Sequence, residues 1–264
     1  TWTYISPCGD EVTATQEITI DPATPPAFVS VPADITLTCE ELEGFAADTL
    51  TVTNGEAGAC EITDEVIGDV TGTFSTCGSS LLVTWTYTSP CGDPIEATQN
   101  ITVEAAAAPE FVDVPADITI TCVEAEVFTP DVAVLSNGQT GQCAFTDTID
   151  GLADPNFDNC GGEIIVTWAM SDTCGNTIDT FQTVTVEPAP IPAFQNVPND
   201  TTLTCEEYAF FTPADLNVSN GESGNCLVEG VASGELDPDF DACGDTALVT
   251  WEYVMECGDT IRVV

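Results

Sequence analysis

The residues best suited to chemistry are carboxylates in alternation. Asp237-Pro238-Asp239-Phe240-Asp241, with Asp245 close behind, and its copy Asp154-Pro155-Asn156-Phe157-Asp158 put oxygen donors at every second position. Hard Ca2+ collects roughly 6–8 such oxygens at about 2.3–2.6 Å, so these stretches read as candidate calcium loops. Neither is an EF-hand, because Ala242 or Asn159 stands where that loop requires glycine. A third copy carries Thr71, Thr73 and Ser75 instead, so any metal would be optional. The expected cofactor is none, with Ca2+ the one alternative, and a solvated polar turn is the favoured reading.

The residue types that are missing narrow the chemistry further. The 264 residues include 45 acidic groups, one basic group (Arg262) and no histidine, for a formal charge of -44. Without Lys or His there is no Schiff base, no Ser-His or Cys-His nucleophile pair, no imidazole metal site and no phosphate-loop lysine. No catalysis is expected. Paired carboxylates could in principle cleave glycosides, but an array of near-equivalent repeats is a poor way to build one cleft. A surface of this sign repels phosphate backbones and anionic headgroups, which excludes nucleic acid and leaves cations as natural partners. Hydrophobic residues still make up 43% of the chain, so it can bury a core and is not an acidic disordered tail. No run of about 18 apolar residues is present, so no membrane span is expected in this window.

Repetition decides the architecture. Thirteen Cys stand at 8, 39, 60, 77, 91, 122, 143, 160, 174, 205, 226, 243 and 257. From Cys39 the steps are 21, 17 and 14, and they recur from Cys122 and Cys205, a period of 122 - 39 = 83 residues. Trp2, Trp85, Trp168 and Trp251 keep the same interval. Such periodicity marks a tandem array. Thr1 corresponds to Thr84 and Val264 to Phe181, so the chain is expected to be a window on a longer repetitive polypeptide. Ala/Pro segments at 23–28, 105–111 and 189–194 suggest short, stiff, extended linkers. The expected division is 1–24, the C-terminal part of a preceding repeat; 25–107, repeat one; 108–190, repeat two; and 191–264, repeat three, truncated before its last strand is complete.

Within a repeat, the stretches at 34–39, 81–89 and 94–104 alternate apolar and polar residues and read as strands. Asn54-Gly55, Asn137-Gly138 and Asn220-Gly221 supply tight turns, and the segment at 89–93 closes a hairpin. No helix is expected. The fold class is all-β: tandem antiparallel sandwiches of the immunoglobulin or fibronectin type III kind. Trp85 and Trp168 should lie in the core rather than form a sugar platform. Gln16, Gln99 and Gln182, on the strand face of Ile18, Ile101 and Val184, should satisfy buried backbone groups.

Four Cys per repeat allow three connectivities. In a sandwich of this kind the loop after the second strand should share an end with the final hairpin. The expected pairs are therefore Cys39–Cys91 and Cys60–Cys77, with Cys122–Cys174, Cys143–Cys160, Cys205–Cys257 and Cys226–Cys243 as copies, and the partner of Cys8 upstream of Thr1. A domain of this size buries only about 60% of its chain surface, and each bridge can add about 3–4 kcal/mol. Bridges imply an oxidising, extracellular setting.

The string VPADITLTC at 31–39 recurs as VPADITITC at 114–122 and VPNDTTLTC at 197–205, each followed by VTW and then CGD or CGN before a last strand. This resembles the bacterial hyalin-repeat-like domains, closest to their four-cysteine variety. That resemblance implies immunoglobulin-like modules in tandem within long secreted surface proteins of Bacteroidota, including adhesins and gliding-associated proteins. It carries no catalytic residues, and it implies a stalk, spacer or adhesive array.

Asp followed by Thr and then an aliphatic residue or Thr resembles the O-glycosylation signal of that phylum, which makes Thr49, Thr148, Thr201, Thr246 and Thr260 candidate acceptors. Asn100, Asn199 and Asn217 begin formal N-glycosylation triplets, which mean less in a bacterium. The expected function is a secreted, disulfide-stapled stalk or extracellular filament on a bacterial surface. Its expected partners are further copies of the repeat, lateral self-assembly and cations. The alternative is a calcium-dependent adhesin module for glycans or neighbouring cells.

Overall fold

The structure, a computed structural model, describes residues 1–90, 92, 94–237 and 246–264. A hairpin of β1 (Trp2–Ile5) and β2 (Glu11–Ala14) comes first. Repeat one then runs β3 (Ala27–Phe28), β4 (Ile35–Leu37), the one-turn helix α1 (Cys39–Leu42), β5 (Thr49–Thr53), a 3-10 turn at Gly58–Cys60, β6 (Thr63–Ile67), β7 (Asp69–Thr71), β8 (Ser79–Thr88) and β9 (Pro94–Val103). Repeat two gives β10 (Glu110–Asp113), β11 (Ile118–Ile120), α2 (Cys122–Ala125), β12 (Ala133–Ser136), a 3-10 turn at Gly141–Cys143, β13 (Thr146–Ile149), β14 (Leu152–Asp158), β15 (Gly161–Ser171) and β16 (Thr177–Val186). Repeat three gives β17 (Ala193–Phe194), α3 (Cys205–Tyr208), β18 (Leu216–Ser219), a 3-10 turn at Gly224–Cys226, β19 (Glu229–Ala232), β20 (Gly234–Leu236), β21 (Val249–Val254) and β22 (Thr260–Val263). The molecule is nearly all β, as expected from the alternation, but the expectation of no helix is corrected. The strand expected over 34–39 stops at Leu37, and a helical turn begins at Cys39.

By contact density the chain divides into Thr1–Ala106 with Gln139–Cys143, and Ala107–Gly138 with Ala144–Val264. In repeat one, β3-β5-β6 form one sheet and β4-β9-β8-β7 the other; in repeat two, β10-β12-β13 and β11-β16-β15-β14 do the same. Alternation aims one face of each sheet inward. Leu50 of the first sheet therefore packs with Leu81, Val83, Trp85, Ile101 and Val103 of the second. Trp85 and Trp168 are fully buried, and each indole donates Nε1–H to a carbonyl 37 residues upstream, Asp48 at 2.8 Å and Asp131 at 3.1 Å. The polar edge of the largest core side chain is thus paired rather than stranded. Gln99 and Gln182 are buried and donate to the carbonyls of Ala33 and Ala116, as the sequence suggests. Gln16 is exposed.

The pairing of β4 fixes the ends of a repeat. β4 lies parallel to β9, Ile35 opposite Ile101 and Leu37 opposite Val103, and β11 pairs likewise with β16, Ile120 opposite Val186. Cys39 and Cys122 therefore emerge where β9 and β16 finish. The β15–β16 hairpin that carries Cys174 closes at the opposite end, where Ser171 faces Thr177. About nine strand residues at ~3.4 Å each separate those ends, roughly 30 Å. A disulfide tolerates a Cα separation of about 7 Å at most, so the expected Cys122–Cys174 pair is geometrically excluded. The same applies along the other edge. Cys143 precedes β13 and β14, and Cys160 follows them, so the two cysteines sit at opposite ends of one strand run.

Candidate functional site

The bridges that form instead join one repeat to the next. Cys39 pairs with Cys143 and Cys122 with Cys226, each across 104 residues, and Cys160 pairs with Cys257 across 97. Cys77 and Cys174 are also disulfide-bonded, while Cys8, Cys60 and Cys205 are free and exposed. This corrects the within-repeat pairing throughout. Cys39 does not take Cys91, Cys60 does not take Cys77, Cys122 does not take Cys174, Cys143 does not take Cys160, Cys205 does not take Cys257, and Cys226 does not take Cys243. Cys91 and Cys243 themselves lie outside the described residues. The physical reason is the parallel β4–β9 and β11–β16 pairing, which sends the four cysteines of a repeat in twos to opposite ends.

Each bridge is built from a capped helical turn and a glycine turn. In α1, Thr38 Oγ1 accepts from the Glu41 amide at 3.3 Å, while Glu41 Oε2 accepts from the Thr38 amide at 2.8 Å and its hydroxyl at 2.9 Å. This is a reciprocal capping box, and α2 (Thr121, Glu124) and α3 (Thr204, Glu207) repeat it. The Thr–Cys–x–Glu spacing was the signal in the sequence for these turns. The threonine amide holds the carboxyls of Glu41, Glu124 and Glu207 below the usual glutamate range, and the threonine hydroxyl adds to it.

On the receiving side, Asn54 and Asn220 fix the 3-10 turn, each donating Nδ2–H to the Cys60 or Cys226 carbonyl at 2.8 Å. Their Oδ1 atoms accept from the amides of Ile62 at 3.0 Å and Val228 at 3.1 Å. Gly141 (φ 62°) and Gly224 (φ 63°) open that turn in the left-handed region, where glycine is the unstrained residue. A carboxylate from the helical turn then closes the junction. Glu43 Oε1 accepts from the Gln142 amide at 2.5 Å, and Glu126 Oε1 from the Asn225 amide at 2.6 Å. Glu40 adds an acceptor for the Thr140 amide at 3.3 Å. Between repeats two and three, Asn159 Nδ2 also donates to the Leu227 carbonyl at 3.2 Å. The half-cystines 39, 122, 143 and 226 are each 1% exposed, so these joints are packed as core. Glu43 and Glu126 carry no motif that would have singled them out among 45 acidic residues.

The calcium candidates are placed differently from a loop. Asp154, Asn156 and Asp158 lie on strand β14, opposite Ile165, Glu163 and Gly161, all on its exposed face. Alternate residues of a strand stand about 7 Å apart, so the first and third of such a row cannot meet one ion at about 2.5 Å. Asp158 Oδ1 instead accepts from the Cys160 amide at 2.7 Å, and Ser75 Oγ does the same for Cys77 at 3.1 Å, a turn-fixing role. Asp237 donates its amide to the Leu248 carbonyl, and Asp239, Asp241 and Asp245 lie outside the described residues. Among the described residues no cluster of three or more acidic or cysteine side chains is arranged to hold a metal. Thr49, Thr148, Thr201, Thr246 and Thr260 are all exposed. No described helix is long and apolar enough to cross a membrane.

No known protein family and no curated protein matches the chain. Among solved structures, a Ca2+-stabilised adhesin that helps an Antarctic bacterium reach out and bind ice aligns over 99% of this chain and 78% of its own at 16% identity, with a TM-score of 0.19. Similarity at that level carries no argument about fold or function.

Proposed function

We propose that this chain is a structural segment of a secreted cell-surface protein, a non-catalytic stalk or filament of immunoglobulin-like modules. The observation that carries this reading is that the bridges run between repeats rather than within them. Tension along such a chain meets covalent shortcuts. From residue 39 to residue 226 the backbone counts 226 - 39 = 187 residues, but the covalent path Cys39–Cys143, back to Cys122, then Cys226 crosses only 143 - 122 = 21. At about 3.4 Å per residue the oxidised path stretches to roughly 70 Å and the reduced one to roughly 640 Å. Exposed threonines after aspartate would add glycans as a solubilising coat.

Single-molecule pulling on the whole chain tests this. Oxidised protein should show no long unfolding steps between these positions, and reductant should release several hundred ångströms. Long steps from the oxidised chain would refute the stalk reading. The calcium-dependent adhesin has no described site to support it, and added Ca2+ should stabilise the protein no more than equal ionic strength from sodium.

A further inference from the structure

We propose that the 3-10 turn Gly58–Cys60 is an unfilled socket for the capped helical turn of another repeat, and that a second copy of this chain fills it through Cys205 in a head-to-tail Cys205–Cys60 disulfide. The inference rests on the end-to-end reading above and extends it from joints within the chain to joints between chains.

Three turns of one construction support it. Gly58, Gly141 and Gly224 have φ of 69°, 62° and 63°, and the same asparagine anchors the first and third to their cysteine carbonyls. Two of the turns are occupied. A Cβ added at Gly141 would stand 1.7 Å from Glu43 Oε1, and one at Gly224 2.7 Å from Glu126 Oε1, whereas at Gly58 nothing lies within 4 Å. Cys143 and Cys226 are buried in their bridges, and Cys60 is free and exposed. The complementary piece is α3. Its Thr204–Glu207 box matches those of α1 and α2, Cys205 begins the turn as Cys39 and Cys122 do, and Cys205 is free and exposed. One departure is Ala209, which stands where the other turns carry Glu43 and Glu126. Socket and plug are different surfaces, so their union is heterologous and propagates as an open chain rather than closing into a dimer.

The covalent step needs an oxidant, here a low-molecular-weight disulfide such as oxidised glutathione. The Cys205 thiolate displaces one glutathione thiolate to give a mixed disulfide. The Cys60 thiolate then attacks the Cys205 sulfur and expels the second. Two protein thiols are oxidised, one disulfide is reduced to two thiols, and the two thiol protons end on the released glutathione.

The experiment oxidises the full chain in a glutathione buffer and maps peptides without reduction. Covalent multimers should form whose principal interchain peptide joins Cys60 to Cys205. C60S mixed with C205S should give that link, and neither variant alone should give it. Interchain peptides dominated by Cys60–Cys60, Cys205–Cys205 or indiscriminate pairing with Cys8 would overturn the proposal, as would monomers that keep Cys122–Cys226 and Cys160–Cys257 intact; in those cases the stalk reading survives. Loss of the intrachain bridges themselves would instead defeat the end-to-end reading on which the proposal depends.

Discussion

The turn at Gly58–Cys60 and the turn at Gly141–Cys143 have the same length, the same glycine geometry and the same neighbouring asparagine, yet one cysteine is exposed and free and the other buried and bridged. Local structure is therefore complete before the bridge forms. Asn54 and Gly58 hold the unbridged turn without help from any sulfur. What the bridge adds is the burial of a joint. The helical turn brings its own half-cystine and a carboxylate, and both disappear from solvent only when a second repeat arrives. Stability inside a repeat and fastening between repeats are thus separate properties, carried by different residues.

Removing a filled joint should give the largest effect. Cys122→Ala with Cys226→Ala opens a loop of 104 residues, for which chain entropy assigns about 4–5 kcal/mol. Cys60→Ala, at the same place in an unfilled turn, should cost no more than about 0.5 kcal/mol. Urea unfolding of the two variants under non-reducing conditions measures the difference, and equal costs would mean that the joint contributes nothing beyond the turn itself.

Next come the indole anchors. Trp168→Ala should cost about 3–5 kcal/mol. Trp168→Phe keeps most of the apolar volume but leaves the Asp131 carbonyl without its donor, at about 1–3 kcal/mol. Trp2, 61% exposed on β1, shares the repeat position but not the burial. Its alanine variant should lie within about 0.5 kcal/mol of the parent in the same measurement.

These two comparisons also show how much of the molecule was legible in the sequence. Alternation and the 83-residue interval located the strands, and Trp85, Trp168, Gln99 and Gln182 were placed in the core for reasons the structure upholds. Cysteine pairing was not legible, because it turns on whether β4 runs parallel or antiparallel to β9. An alternating pattern gives the face of a strand, not its direction. A three-residue strand followed by Thr–Cys–Glu–Glu also reads as one longer strand unless the capping box is recognised. The acidic rows misled for a related reason, since alternation that suits a calcium loop suits an edge strand equally well.

The carboxylate clamp should give a smaller effect. Glu126→Ala removes the acceptor of the Asn225 amide and should cost about 1 kcal/mol, while the Cys122–Cys226 bridge stays intact. Faster hydrogen exchange confined to Asn225 and its turn, with global unfolding shifted only slightly, would show the clamp tuning a joint that the sulfur already holds.

Acid should separate the filled and unfilled helical turns most gently. Glu124 in α2 and Glu207 in α3 are held below the ordinary glutamate value of 4.5 by the threonine amide and hydroxyl. A carboxyl whose folded pKa is depressed contributes stability that is present in full above its unfolded value and is lost as pH falls through the folded value. Both boxes therefore weaken below about pH 4.5. Protonation also relieves the mutual repulsion of a chain with formal charge -44, a long-range gain that both turns share. The difference between them isolates the joint. In α3 the box works alone, because Cys205 is free, whereas Cys122 ties α2 to Cys226. Protection of the Tyr208 amide, which donates to the Thr204 carbonyl, should fall with acidification before that of the Ala125 amide, which donates to Thr121. Glu207→Gln, which keeps an acceptor but no titrating charge, should remove the pH dependence at Tyr208. Parallel loss of protection at both amides would show that the bridge does not extend its hold into the helical turn.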